Sequence, residues 1–184
     1  MTLTVLNKIG TASILDNAIT SGKIINNAVT ASKIVSGAAG KILQVVSTTK
    51  SNAFSTTTTN GNAPFGVLVT DLNSSITPSA TSSKILIMFS AFTSNSAASH
   101  YTFTYMYRNT STEMFRNVSV NYGTFSAMGQ NIVNIYTDSP SSTSAVTYTV
   151  RLAAEGNTAR IGAGASGGTA NVPDSVITLM EIAG

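Results

Sequence analysis

The segment YTFTYMYR, at Tyr101–Arg108, decides the fold class because its side chains change character at every second residue. The aromatic residues share one face and are Tyr101, Phe103, Tyr105 and Tyr107. Thr102, Thr104 and Arg108 occupy the opposite face. Successive side chains of a β-strand point to opposite sides, so a period of two is typical of a half-buried strand.

Further segments of this kind follow one another through residues 41–184, separated by turn residues such as Asn60-Gly61 and Ser139-Pro140. The predicted strands are Ile42–Thr48, Phe65–Leu72, Lys84–Thr93, Tyr101–Arg108, Thr112–Val120, Thr124–Thr137, Ala145–Glu155, Ala159–Gly162 and Ser175–Ile182. Lys84–Thr93 is the most apolar, which predicts a central strand buried on both faces. So many short strands without a convincing helix predict an all-β fold, an antiparallel and jelly-roll-like β-sandwich over residues 41–184.

Residues Leu15–Ile34 contain two copies of a ten-residue unit, LDNAITSGKI and INNAVTASKI. A shortened third copy ends at Ile42. A ten-residue spacing does not sustain the seven-residue repeat of a coiled coil, and Thr, Asn, Ser and Gly favour turns over helix interiors. The repeat therefore predicts a short N-terminal stalk of extended segments over residues 1–40.

A unit of this size cannot bury its own isoleucine side chains, so such repeats gain a core by stacking on neighbours or on other chains. Two and a half units are too few for a self-sufficient solenoid. We therefore expect five side chains to be buried between chains, namely Ile19, Ile24, Ile25, Val29 and Ile34. Lys23 and Lys33 would face outward. The alternative is a flexible low-complexity leader.

Charged residues are few and scattered, with 10 Lys and Arg and 7 Asp and Glu among 184 residues. Nucleic-acid binding relies on clustered cations that displace counterions from phosphates, so we expect no nucleic-acid partner. The chain has no cysteine, which excludes disulfides and thiolate metal sites. No window approaches the roughly 18 apolar residues of a membrane span, and the first residues do not match a secretory signal.

The repeat and four later segments together resemble bacteriophage tail-fibre and virion-surface proteins. The repeat contributes its NAIT-x-x-KI element, and the later segments are Gly40–Thr57, Ile76–Phe92, Ser139–Gly156 and Val176–Gly184. The resemblance implies a homotrimer whose N-terminus docks on the particle and whose C-terminal β-domain forms a knob. It contains no catalytic signature, so it implies a role and an architecture but no active site.

Residues with catalytic potential are dispersed along the chain. His100 is the only histidine, and its segment SNSAASHYTF is typical of a loop or strand edge rather than a catalytic pocket, so a Ser-His-Asp triad is not indicated. The acidic residues are Asp16, Asp71, Glu113, Asp138, Glu155, Asp174 and Glu181, and a glycosidase pair would have to come from distant strands. We predict no catalytic residue, no metal site and no cofactor.

Tyr105, Tyr107 and Arg108 are candidate receptor-facing residues, because aromatic faces bind sugars and proteins well. Burial of the tyrosine row in the sheet core or in a subunit interface is the alternative, and it is what alternation by itself favours.

These features predict a non-enzymatic phage protein on the virion surface, made in the host cytoplasm. It would be a homotrimeric short fibre that contacts other virion proteins of the tail or capsid through its N-terminal segment. Its knob would bind a host surface glycan or protein, without membrane insertion. A capsid decoration (cement) trimer that stabilises the head is one alternative, and a small surface-polysaccharide depolymerase is a second.

Overall fold

The structure, a computed structural model, describes residues 42–120, 129–169 and 172–184 of the chain. Every regular element within these residues is a β-strand. The strands are β1 (Ile42–Lys50), β2 (Phe54–Thr56), β3 (Val67–Ile76), β4 (Lys84–Asn95), β5 (Tyr101–Arg108), β6 (Thr112–Val120), β7 (Gln130–Asp138), β8 (Val146–Ala154), β9 (Ala159–Ile161) and β10 (Ser175–Ile182). The prediction of an all-β fold is confirmed.

The predicted stalk, residues 1–40, lies outside the described residues. The five side chains expected to meet between chains lie there too, and they are Ile19, Ile24, Ile25, Val29 and Ile34. Their burial therefore stays a prediction.

The strands form two antiparallel sheets that pack face to face. The larger sheet has the order β1–β10–β4–β9–β2, and β7 also pairs with β4. The smaller sheet has the order β3–β8–β5–β6. Four nested antiparallel pairs connect the long strands: β1 with β10, β3 with β8, β4 with β7, and β5 with β6. This nesting is the strand pattern of a jelly roll, so the predicted antiparallel sandwich is confirmed.

The nested pairs give the sandwich two distinct ends. Ile42 is paired with Ile182, so β1 begins where β10 ends, and we call this the proximal end. Lys84 at the start of β4 and Asp138 at the end of β7 also lie there. The opposite, distal end carries the connection from β1 to β3 and the connection from β4 to β5.

The core fills the space between the two sheets with alternate side chains of each strand. Ile85, Ile87 and Phe89 of β4 point inward, and each is at most 1% exposed. Tyr148 and Val150 of β8 belong to the same buried cluster from the opposite sheet. Burying one such side chain contributes about 1.5–3 kcal/mol, and a shift of register by one residue would expose the whole set.

Side chains on the outer face of β4 are more exposed than predicted. Leu86 and Met88 on that face are only partly buried, and Ser90 is exposed. For the single chain, the prediction that this strand is buried on both faces is wrong, because a continuous apolar run does not distinguish a strand covered on both sides from one whose outer face its own chain leaves uncovered. Its central position is confirmed, since β4 lies between β10 and β7.

The structure departs most from the predicted strands at β2, β3 and β7. β2 is a three-residue strand within a stretch of serine and threonine, and no prediction covers it. β3 extends to Ile76 past a bulge in which Asp71 adopts a φ of 60°. β7 begins at Gln130 within the described residues, whereas its predicted strand begins at Thr124.

Candidate interaction surfaces

The outer face of the smaller sheet carries the aromatic row of β5, and the chain covers it with its own residues. Tyr105 is 0% exposed and Tyr107 is 1% exposed. Phe65, from the connection that precedes β3, lies over Tyr105 with 5.4 Å between the ring centroids. The Tyr105 hydroxyl donates a hydrogen bond to Asn60 Oδ1 at 2.6 Å, and the Phe65 backbone N–H donates to the Tyr107 hydroxyl at 3.0 Å.

Two arginines complete this cover. The Arg116 guanidinium lies 5.0 Å from the centroid of the Phe65 ring and 5.1 Å from that of Tyr105, which are distances of cation–π contacts. Glu113 holds the Arg116 head, whose Nε donates to Oε1 at 3.1 Å. Arg151 lies over Tyr107 and donates to the backbone carbonyl of Gly66 at 2.8 Å.

Gly66 fixes the path of the covering segment. Its φ is +72°, a conformation that favours glycine, and a Cβ there would lie 2.6 Å from the backbone oxygen of Leu152. The close approach brings Phe65 onto the tyrosine row. Burial under this segment raises the pKa of Tyr105 above its ordinary value of 10.0, so the ring remains a neutral phenol.

Two of the three candidate receptor-facing residues are therefore enclosed. Direct contact of Tyr105 or Tyr107 with a receptor would require the covering segment to move, so we assign both a structural role. The neighbouring Tyr101 is 39% exposed at the distal end of the same row.

The third candidate, Arg108, faces the space between the sheets and joins them. Its Nη1 donates to both carboxylate oxygens of Asp138, at 2.8 and 2.9 Å. The Tyr148 hydroxyl donates to Asp138 Oδ2 at 2.7 Å. Burial and the hydrogen bond to Asp138 raise the pKa of Tyr148, so this hydroxyl stays a donor. Because Asp138 belongs to the larger sheet and its partners to the smaller one, the ion pair ties the sheets together at the proximal end.

Glu181 forms a second carboxylate cluster at the proximal end, and it is 1% exposed. Its Oε1 accepts hydrogen bonds from the Ser79 backbone N–H, the Ser79 hydroxyl and the Ser83 hydroxyl, at 2.7, 2.6 and 2.7 Å. Its Oε2 accepts one from Gln44 Nε2 at 2.6 Å. Burial opposes the charge, but these donors outweigh it and lower the pKa from 4.5 to about 2. The carboxylate joins β1 and β10 to the connection between β3 and β4.

The other residues with catalytic potential make local contacts. Nδ1 of His100 lies 2.8 Å from the backbone oxygen of Ala98. Glu155 accepts a hydrogen bond from the Tyr101 backbone N–H at 3.0 Å. Within the described ranges, no three His, Cys, Asp or Glu side chains come together in a way that would hold a metal ion. The described part of the chain likewise contains no helix long and apolar enough to cross a lipid bilayer.

The outer face of the larger sheet has a different character, and we call it the bare face. It consists of three rows of side chains that run across β1, β10, β4 and β7 in register. The rows are Val45–Met180–Leu86–Thr137, Ser47–Thr178–Met88–Ile135 and Thr49–Val176–Ser90–Val133. None of these residues is charged, and none is buried.

The bare face exposes aliphatic side chains to solvent. Ile135 is 69% exposed, Val133 is 66% exposed and Val45 is 54% exposed. A shallow depression of about 200 Å³ lies on this face. Its lining includes Met88, Ser90, Val133, Ile135, Val176 and Thr178. In the sequence, β4 carries apolar residues at both odd and even positions. This pattern indicates that both faces of the strand are apolar, but it does not indicate what covers the outer face.

Comparisons with known proteins return only remote structural similarity. No protein-family model matches the chain, and no curated protein matches it. A chain of T=1 particles derived from infectious bursal virus is similar at a TM-score of 0.41 and 12% identity, over 76% of this chain and 36% of that one. The VP2 subviral particle of infectious bursal disease virus is similar at a TM-score of 0.39 and 12% identity, over 77% of this chain and 38% of that one. The chain thus spans little more than a third of these proteins, and similarity at this level carries no functional argument.

Proposed function

We propose that this chain is a non-enzymatic structural protein of a bacteriophage virion, a homotrimeric short fibre. Its N-terminal repeats attach it to the particle, and its β-sandwich is exposed for contact with the host surface. The decapeptide repeat carries the proposal, because its isoleucines need partners that a short run of such units does not supply. The resemblance of the repeat and the later segments to phage fibre proteins supports the same role.

The two ends of the sandwich support a division between attachment and display. The repeat leads directly into β1, which begins at the proximal end. The longer connection 51–66 and the connection 96–100 lie at the distal end, together with the partly exposed Tyr101. Loops on a rigid scaffold commonly carry binding functions, so we propose that the distal connections contact the host surface.

The stalk is tested with charge substitutions in the full chain. Ile24→Asp combined with Ile34→Asp is expected to abolish the trimer and incorporation into particles, because burying unpaired carboxylates is costly. The matched control is Lys23→Asp combined with Lys33→Asp, which introduces the same side chain at positions expected to face solvent. Sedimentation velocity and quantitative labelling of purified particles provide the readouts. Trimers of wild-type mass in the isoleucine variant would contradict the proposal.

Labelling of particles also distinguishes the alternatives. A short fibre is expected at a few trimers per particle on the tail. Labelling over the head at the copy number of capsomers would instead identify a capsid decoration protein. Release of oligosaccharides from host surface polysaccharide by the purified chain would identify a depolymerase and contradict a non-enzymatic role.

A further inference from the structure

We infer that the bare face is the surface through which copies of this chain pack around their common axis. The inference rests on the proposed function, because it takes the assembly to be a trimer. The contrast between the two outer faces motivates it. The smaller sheet covers its aromatic row with Phe65, Arg116 and Arg151, whereas aliphatic side chains of the larger sheet are up to 69% exposed.

The charge of the bare face suits a second copy of the same chain. Identical copies bring identical charges close together near a symmetry axis, where they repel one another, so an uncharged face avoids this cost. All three rows of the bare face are uncharged. Lys84 lies beyond them at the proximal margin, where it pairs with Ile182 on the neighbouring strand.

The chemistry of the bare face does not suit a sugar. Glycan sites combine aromatic rings with planar polar side chains, whereas the rows contain Val, Ile, Leu, Met, Ser and Thr. Exposed aliphatic side chains such as Val133 and Ile135 gain most from exclusion of water by another apolar surface. Ser47 and Thr178 already pair their hydroxyls across β1 and β10 at 3.0 Å, which reduces the cost of covering them.

The size of the bare face fits one contact within a larger assembly. Four strands about 4.8 Å apart and three rows about 6.8 Å apart cover roughly 400 Å² of sheet. A stable interface of standard size buries about 800 Å² on each partner, so a dimer through this face alone falls short. A trimer that is also held through its N-terminal segments supplies the remaining contact.

The first test introduces charge on the bare face of the full chain. Val133→Asp combined with Ile135→Asp is expected to weaken association more than about a hundredfold, because carboxylates of neighbouring copies would be buried together. The matched control is Val118→Asp on the outer face of the smaller sheet, where Val118 is 53% exposed. Sedimentation equilibrium measures association, and near-ultraviolet circular dichroism checks that each variant retains its fold.

The second test does not depend on charge and uses the absence of cysteine from the sequence. Ile135→Cys is expected to be cross-linked between copies by a short bismaleimide, whereas Val118→Cys is not. Since one thiol in three has no partner around a threefold axis, the cross-linked fraction should level off at about two-thirds.

The outcomes separate this inference from the proposed function. A trimer that keeps its affinity in the aspartate variant and leaves Cys variants at position 135 unlinked would overturn the inference while the trimer stands. Cross-linking of position 135 to completion would support contact through the bare face but contradict threefold symmetry. A wild-type chain that sediments as a monomer would overturn both.

Discussion

The smaller sheet encloses the rings on its outer face under residues of the same chain, whereas the larger sheet leaves aliphatic side chains on its outer face in contact with water. Tyr105 is 0% exposed and Ile135 is 69% exposed, although both occupy outward positions of their strands. The comparison shows that alternation along a strand identifies its faces but not what covers them. Substitutions on the covered face should therefore affect folding, and those on the bare face should affect association.

The largest expected effect comes from removing a ring on the covered face. Tyr105→Ala is expected to lower the free energy of unfolding by about 3–5 kcal/mol, because it leaves a cavity and an unpartnered Asn60. Urea denaturation measures the loss. Val118→Thr, at a 53% exposed position of the same sheet, is the control and should change stability by less than about 0.5 kcal/mol. Equal effects for the two variants would show that the tyrosine row is not enclosed.

Substitution of Glu181 tests whether its buried carboxylate stabilises the larger sheet. The pKa of this carboxyl is lowered from 4.5 to about 2, so its contribution is complete above pH 4.5 and is lost as the pH falls toward 2. The shift corresponds to on the order of 3 kcal/mol at neutral pH. Glu181→Gln should therefore lower the free energy of unfolding at pH 7 by about that amount and flatten its pH dependence between these limits.

The control for this experiment is Glu155→Gln, because Glu155 accepts a single backbone hydrogen bond at the exposed distal margin. Denaturation across the acid range provides the measurement. An acid transition in Glu181→Gln identical to that of the wild type would show that another group produces the pH dependence.

A smaller loss of stability is expected when the guanidinium group of Arg116 over the aromatic row is removed. Arg116→Met keeps an unbranched apolar stem over Phe65 and Tyr105 but removes the guanidinium, so it should cost about 0.5–1 kcal/mol. Lys84→Met, at an exposed position of the larger sheet, should be nearly neutral. Thermal denaturation at low and high salt compares them. A loss of stability in the Lys84 variant as large as that in the Arg116 variant would contradict a specific ring contact.

The smallest effect on folding is expected on the bare face. Ile135→Thr keeps a β-branched side chain at a 69% exposed position, so dilute protein should unfold within about 0.5 kcal/mol of wild type. Self-association makes the melting temperature rise with protein concentration, and the variant should reduce that rise. Calorimetry over a hundredfold range of concentration is the measurement. A large loss in dilute protein would show that Ile135 is part of the chain's own core.

The bounds of strands could be predicted well from the sequence where the local pattern of residues is clear. The bounds of β5, β6 and β10 coincide with their predictions, because alternation along each strand is clear and turn residues bound them. β2 escaped prediction because three residues give no period and its pairing with β9 joins distant parts of the chain. Local pattern therefore suffices for long half-buried strands and fails for short ones.

The functional surfaces depend on contacts that no local pattern contains. The donors to Glu181 include Gln44, which lies 137 residues earlier in the chain. The cover over Tyr105 comes from a stretch whose Asn60-Gly61 pair predicts only a turn. The bare face requires the register of four strands, so its rows of aliphatic and hydroxyl side chains emerge only once those strands are paired.

The nested pairing of strands also imposes an order on synthesis and assembly. β1 is made early, but its partner β10 leaves the ribosome only after residue 182 has been translated. The rows of the bare face span both strands, so a nascent chain lacks the complete surface that another copy would recognise. Pairing of residues so distant in sequence is slow. The inferred contact between copies would therefore form only after β1 and β10 have paired within each chain, at a rate that depends on protein concentration.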